Sequence, residues 1–278
     1  MSKVIHKHRF GISATPDLSL RVSVATLVRV VFENPTNGEL MLALERKATL
    51  HQTESGHLVE VKSQPFGGAI RIRDLSALRD LIGDFHFDSE QSRSEHDFRI
   101  FIKPSNWEVV REFCIQHFKH DDDPILETDP GRELAEEFFD ALKINLEPDQ
   151  YIHKPVATVI EDDPMPTENI HANGMPTVRV YRIFEATISD SSLARTMITN
   201  SESLSHQELC ALALEDARNG GKGRASAILT LPLKRISDVY LAMPPKERNA
   251  PILFEKNRLD ETIPAIFERI TVPKYQRL

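Results

Sequence analysis

Apolar residues alternate in part with polar ones from Arg21 to Phe32 (RVSVATLVRVVF), stop at Asn34-Pro35-Thr36-Asn37-Gly38, and return from Glu39 to Glu45 (ELMLALE). The Val- and Thr-rich, period-two character predicts strands. An Asn-Gly step between two such runs predicts a hairpin, because both residues tolerate the positive φ that tight hairpin turns demand. A third short strand is predicted at His57 to Lys62, leading to Gln64-Pro65-Phe66-Gly67-Gly68-Ala69-Ile70. Paired glycines after a strand mark a place where the backbone turns, or comes too close to something for a Cβ to fit.

From Asp74 to His120 the pattern changes. Leu75, Leu78, Leu81 and Ile82 have helical spacing, Phe98 to Ile102 reads as a short strand, and Trp107 to Phe118 as an amphipathic helix. A small inserted substructure is expected, followed by the acidic loop Asp121-Asp122-Asp123-Pro124. Asp129-Pro130 signals a helix start, since Asp can cap and Pro suits the first helical position. That helix is expected to run to about Leu142. Strands follow at Val156 to Glu161 and Thr177 to Ile188, then a helix at Ser205 to Arg218 and a Gly-rich connector at Asn219 to Ser226. A short apolar segment, Ile228 to Leu233, and a last helix around Leu259 to Glu268 complete the pattern.

Composition adds bounds rather than identity. Of 278 residues, 40% are apolar and 27% charged, which requires a packed core and excludes disordered or fibrous classes. The net charge of −8 argues against bulk neutralisation of nucleic-acid phosphates, although a local basic pocket stays compatible with it. No apolar run approaches the ~20 residues that span a bilayer, and the start MSKVIHKHRFGIS lacks a signal-peptide centre, so no membrane and a cytoplasmic location are expected. Cys114 and Cys210 lack CxxC spacing and read as ordinary buried thiols.

The chemistry concentrates at Arg132-Glu133-Leu134-Ala135-Glu136-Glu137. At ~100° per residue, Glu133, Glu136 and Glu137 share one helix face while Leu134, Phe138 and Ala141 form a neighbouring apolar stripe. Carboxylates this close repel unless a cation or arginine sits among them. Hard oxygen ligands of this kind suit Mg2+ or Mn2+ shared with phosphate oxygens. The plain alternative is a solvated face with an Arg132 to Glu136 salt bridge. Elsewhere, Gly220-Gly221-Lys222-Gly223-Arg224 has the composition of a phosphate loop without its pattern, and reads better as a mobile loop. His117 and His120 beside Asp121 to Asp123 are a weaker second metal candidate, and Trp107 suits either stacking or packing. The basic arm His6-Lys7-His8-Arg9 reads as a disordered terminus.

Taken in order, the hairpin, the Gly-Gly pair and the Arg-Glu-Leu-x-Glu-Glu run resemble the Nudix hydrolase family over roughly Leu20 to Ile188. The family's signature is G-x5-E-x7-R-E-U-x-E-E-x-G-U, with U a bulky aliphatic residue. Here Pro65-Phe66-Gly67-Gly68 stands for its start and Arg132 to Glu137 for its core. The resemblance implies an α+β fold, a Nudix-like α/β/α sandwich with a mixed sheet. It divides the chain into an arm over 1–19, a core over 20–190 with an insertion at 74–128, and a C-terminal helical extension over 191–278 packed on the core. It makes Glu133, Glu136 and Glu137 metal-binding carboxylates and the Gly68 carbonyl a further ligand, with Arg132 orienting the glutamates. The implied activity is metal-dependent (Mg2+ or Mn2+) hydrolysis of a pyrophosphate linkage in a nucleoside diphosphate derivative, its general base a glutamate of the motif or of a later loop, with Glu161, Glu168 and Glu185 as candidates. A homodimer is compatible with this reading.

The sequence departs from the pattern in three places. The spacing from Gly68 to Arg132 is roughly 50 residues longer than the pattern's, enough to require structure of its own. The loop glutamate falls on Pro124, leaving Glu127 or one of Asp121 to Asp123 to replace it. Phe139 takes the final glycine, which implies altered packing at the helix end. These departures motivate two competitors: a Nudix-fold module that senses a nucleotide-like ligand without cleaving it, and an interaction protein whose acidic helix is merely solvated.

Overall fold

The structure is a computed structural model that describes residues 18–53, 56–120, 122–167, 169, 172–233 and 252–253. The predicted hairpin is present: β1 (Leu20–Glu33) and β2 (Leu40–Thr53) pair from Val30↔Ala43 to Glu33↔Leu40. Between them Asn34 N donates to Glu39 O at 2.8 Å, and Gly38 takes φ 73°, the conformation for which glycine is suited. β3 (Gly56–Gln64) extends the antiparallel ladder on β2, and β4 (Phe66–Ala69) returns to pair with β1 from Ala25↔Ala69 to Val28↔Phe66.

β4 leaves the sheet after Ala69, and the chain forms α1 (Leu75–Ile82), β5 (His86–Phe87), α2 (Glu90–Glu95), β6 (Arg99–Ile102) and α3 (Trp107–His117). β6 then resumes on β1 where β4 stopped, pairing Leu20↔Ile102 to Ser23↔Arg99. The changeover lies at Val24, whose N–H goes to Phe98 O while its carbonyl accepts from Ile70 N. α4 (Gly131–Leu142) follows, then β7 (Tyr151–Pro166) and β8 (Pro176–Ile188). β8 lies parallel to β1 over Arg21↔Thr177 to Phe32↔Ile188. α5 (Ser191–Ser203), α6 (His206–Arg218) and β9 (Arg224–Pro232) come next, with β9 antiparallel to β2. β10 (Ile252–Leu253) edges β7. Among the described residues, ten strands form one mixed sheet accompanied by six α-helices, the α+β architecture of a Nudix-like α/β/α sandwich.

On the helix-covered face of β1 the core divides along the length of the strand. Val22 and Val24 pack with Ile100, Val110 and Cys114 under α1 and α3, whereas Val28, Val30 and Phe32 pack with Phe66, Leu134, Phe138 and Met197 under α4 and α5. Between the two clusters Arg182 is buried, donates to Phe118 O and His120 O, and lies over the Phe118 and Phe184 rings. The end of the α3 segment is thereby tied to the central strand β8. Cys114 is core, as expected, but Cys210 on α6 is half-exposed. The acidic loop is structural too, since Asp123 accepts from Ile125 N and Leu126 N and contacts His117 Nδ1 at 2.8 Å, while Asp122 pairs with Arg73. Trp107 Nε1 donates to Asp162 Oδ1 at 2.8 Å, which fixes α3 to β7.

The glycine-rich stretch 220–224 does not offer its amides to a ligand. Asp216 Oδ2 accepts from Gly223 N at 2.8 Å and Arg224 N at 3.1 Å, so a carboxylate of α6 occupies the concavity. β9, read from sequence as a connector and a short segment, begins directly there. Its outward N–H groups are capped by α5, Ile228 N by Asn200 Oδ1 and Thr230 N by Ser201 Oγ, which protects a sheet edge. Asp216→Ala is expected to cost about 1–2 kcal/mol, because two amides lose a charged acceptor, as read by urea denaturation. The predicted helix at Leu259 to Glu268 and the arm 1–17 lie outside the described residues.

Candidate functional site

The site is built where α4 meets the free edge of β4. Leu134, Phe138 and Ala141 anchor α4 in the core, with the Phe138 ring 4.9 Å from that of Phe66 on β4. Asp129 helps to start the helix, its Oδ1 accepting from Gly131 N at 2.6 Å and its Oδ2 lying 3.2 Å from His153 Nε2. The helix ends at Lys143, in a left-handed conformation with φ 58°. Phe139, at the pattern's final glycine, points outward with 48% exposure, so its bulk does not disturb the packing of the helix end.

With α4 so placed, Gly67 and Gly68 face its acidic side. Gly67 N donates to Glu137 Oε2 at 2.5 Å. A Cβ on Gly68 would overlap the Glu133 carboxylate, and one on Gly67, which takes φ 139°, would overlap the Thr26 carbonyl. The paired glycines and two of the three motif glutamates therefore converge, despite their separation in the chain. Glu136 does not turn inward; its side chain is 57% exposed and lies 3.4 Å from Arg132.

Arg132 organises the rest. Its Nε donates to Glu127 Oε2 at 2.8 Å, and its Nη2 is 2.5 Å from Glu133 Oε1. Of the residues proposed to replace the loop glutamate, Glu127 is the one that reaches the site. Burial alone would lower the Arg132 pKa, but the Glu133, Glu127 and Glu136 carboxylates raise it above its ordinary value. Burial raises Glu133 above the usual carboxylate range, against the pull of Arg132. Glu137 is raised well above it, by burial first and then by the charge of Glu45, with the Gly67 N–H opposing.

Glu45 escaped the sequence reading. It sits on β2 with a fully buried side chain, accepting from Gln64 Nε2 and Ser226 Oγ, each at 2.8 Å, and pairing with Lys47 at 3.2 Å. Its signal was a charge in register with Met41 and Ala43, the inward positions of an apolar strand. Asp97, between α2 and β6, was also missed. It is 5% exposed, bonded to Arg99 Nη1 at 3.2 Å, and raised to about 6 by burial, with the charges of Glu95 and Glu133 adding to the rise. The expected general bases lie elsewhere. Glu185 pairs with Arg29 and Lys154, and Glu161 with Arg179 at 3.1 Å. Arg29 and Arg179 alternate with core valines that face the helices above, so both glutamates belong to the opposite sheet face. Glu168 lies outside the described residues.

Does this donor set suit a divalent cation? Among the described residues no group of three His, Cys, Asp or Glu side chains is assembled to hold one. The chemistry nonetheless fits. The donors are all hard oxygens, Glu45 and Glu137 bring mutually repelling charge into a buried place, and the Thr26 hydroxyl, cross-strand from Gly68 and 2% exposed, has no hydrogen-bond partner.

An α/β/α sandwich with a glycine pair laid against a glutamate-bearing helix defines a Nudix domain. The family model for the SMODS-associated NUDIX domain matches residues 19–217, and the chain belongs to that family. No curated protein and no solved structure matches it significantly. Nudix domains usually use divalent metals, and the family points to a nucleotide-derived ligand. No helix among the described residues is long and apolar enough to cross a membrane.

Proposed function

We propose that the protein is a cytoplasmic Nudix-type hydrolase, cleaving a pyrophosphate linkage in a nucleoside diphosphate derivative with Mg2+ or Mn2+. The observation that carries the reading is the meeting of Gly67 and Gly68 with Glu137 and Glu133 at the edge of β4. The domain organisation that goes with it is a core over 20–190, interrupted at 74–128 and extended by 191–278.

In this reading Glu133 and Glu137 hold the cation from α4, the Gly68 carbonyl adds an oxygen, and Glu136 approaches from the solvent side. A bound divalent cation neutralises phosphate oxygens and makes water a better nucleophile. The chain's own residues provide the positioning. Arg132 holds one oxygen of Glu133 and Glu127 holds Arg132, while the Gly67 N–H holds one oxygen of Glu137.

A second reading, a ligand sensor without turnover, is favoured by the lack of an assembled three-carboxylate group among the described residues and by the distance of Glu161 and Glu185 from the site face. A panel of nucleoside diphosphate derivatives incubated with Mg2+ and Mn2+, read by nucleotide or phosphate release, tests the hydrolase. Turnover of at least one compound that disappears with a chelator is the expected result. Thermal stabilisation by the same compounds with no release would instead select the sensor.

A further inference from the structure

We propose that Arg71 is a phosphate-binding residue, whose guanidinium takes an oxygen of the ligand's pyrophosphate beside Glu133; this rests on the reading that the site receives a pyrophosphate. On leaving β4 the chain runs between two others. Ile72 N donates to His96 O and Phe98 N to Ile70 O on one side, while Arg73 N donates to Ile125 O and Glu127 N to Arg71 O on the other. This register sets Arg71 directly opposite Asp97 and also opposite Glu127, and residues directly opposite carry their side chains on the same side. Ile72 and Leu126 point into the core, so Arg71, Asp97 and Glu127 point the other way.

Both neighbouring carboxylates are already engaged by other arginines. Asp97 is bonded to Arg99 at 3.2 Å and Glu127 to Arg132 at 2.8 Å. Both also adjoin the acidic centre: Glu127 through Arg132, and Asp97 through the Glu133 charge that helps to raise it. Arg71 is left over. It is half-buried, its Nε is buried with no hydrogen-bond partner, and its side chain makes no ion pair among the described residues. An arginine fork left unfilled beside two carboxylates that each already bond another arginine is an anion receptor, because the guanidinium donors match two phosphate oxygens at once. The segment between β4 and α4 thus supplies a positive contact to a site whose helix supplies negative ones. A pyrophosphate held by a cation on α4 needs both.

Arg71 also sits among acidic groups, and a role confined to balancing their charge would alter metal affinity and stability rather than pyrophosphate affinity. The test uses the full chain with Arg71→Gln and Arg71→Lys. Titration calorimetry reads binding of inorganic pyrophosphate in Mg2+, spin resonance reads binding of Mn2+ alone, and thermal melting reads the fold. Arg71→Gln is expected to weaken pyrophosphate binding about ten- to a hundredfold, the loss of one or two charge-assisted bonds, with Mn2+ affinity and melting temperature unchanged. Arg71→Lys should recover part of the loss, as a point charge without the fork. Equal pyrophosphate affinity in the unaltered and Arg71→Gln chains, with Mn2+ binding intact, overturns the role of Arg71 alone. A parallel loss of Mn2+ affinity overturns it in favour of charge balance. Absence of both Mn2+ and pyrophosphate binding in the unaltered chain removes the metal-dependent reading and Arg71 with it.

Discussion

Glu137→Gln is expected to reduce metal-dependent hydrolysis by roughly 10²- to 10³-fold while raising the melting temperature of the metal-free protein by a few degrees. The two effects have one cause. Glu137 is buried beside Glu45, which is itself fully enclosed, and the metal-free fold must hold both carboxylates with Lys47 as the cationic neighbour they share. Glutamine keeps the volume and can still accept from Gly67 N, so the edge of β4 stays docked on α4. What it removes is the charge, which costs stability in the empty site and is needed when a cation enters. Sites shaped for a ligand commonly gain about 0.5–2 kcal/mol on such neutralisation. The measurements are initial rates in Mn2+ with the active compound of the panel, and melting with a chelator present. A variant that retained full turnover would remove Glu137 from the metal-holding set, and one that melted lower would show that its charge is satisfied by groups other than a cation.

Some of this was legible from the residues alone, for reasons that are local. Asn37-Gly38 forces a turn, Val and Thr at alternate positions suit a half-buried sheet, and three glutamates at helical spacing share a face wherever the helix lies. Ser205, with Glu208 three residues on, forms the reciprocal cap of α6, which explains why that boundary was readable. α5 was missed because its sequence, SSLARTMITNSES, carries only Leu193, Ala194 and Met197 inward; its stability comes from packing on the core shared by β1 and β8 and from side chains that cap β9. β9 was hidden by the glycines before it, whose amides Asp216 occupies. At the site, the long spacing between Gly68 and Arg132 signalled an inserted substructure and offered Glu127 among four replacement carboxylates, but it could not select the one that the returning chain brings to Arg132. Asp97 and Arg71 belong to the same gap. Their roles depend on which strand replaces β4 along β1, and that is a property of register, not of local pattern.

The adjacent glycines should respond in opposite ways to the same added methyl group. Gly67→Ala is expected to cost more than about 4 kcal/mol, placing it among the most damaging single changes. Its φ of 139° is a conformation that L side chains rarely adopt, and its Cβ would run into the Thr26 carbonyl, a backbone atom of the central strand β1. Relief requires β4 to part from β1, taking Phe66 off Phe138 and the Gly67 N–H off Glu137. Gly68→Ala meets only the far end of a side chain, the Glu133 carboxylate, which can swing aside. The fold should therefore lose no more than about 1 kcal/mol, while Glu133 leaves its place between the glycine and Arg132. Displacing a carboxylate from a metal-holding set typically costs about 10- to 100-fold in affinity or rate. Urea denaturation and Mn2+ binding on both variants make the comparison. If Gly68→Ala bound Mn2+ like the unaltered chain, then Glu133, although it sits against Gly68, would not be holding the cation, and the site would have to be rebuilt around Glu137 and Glu45.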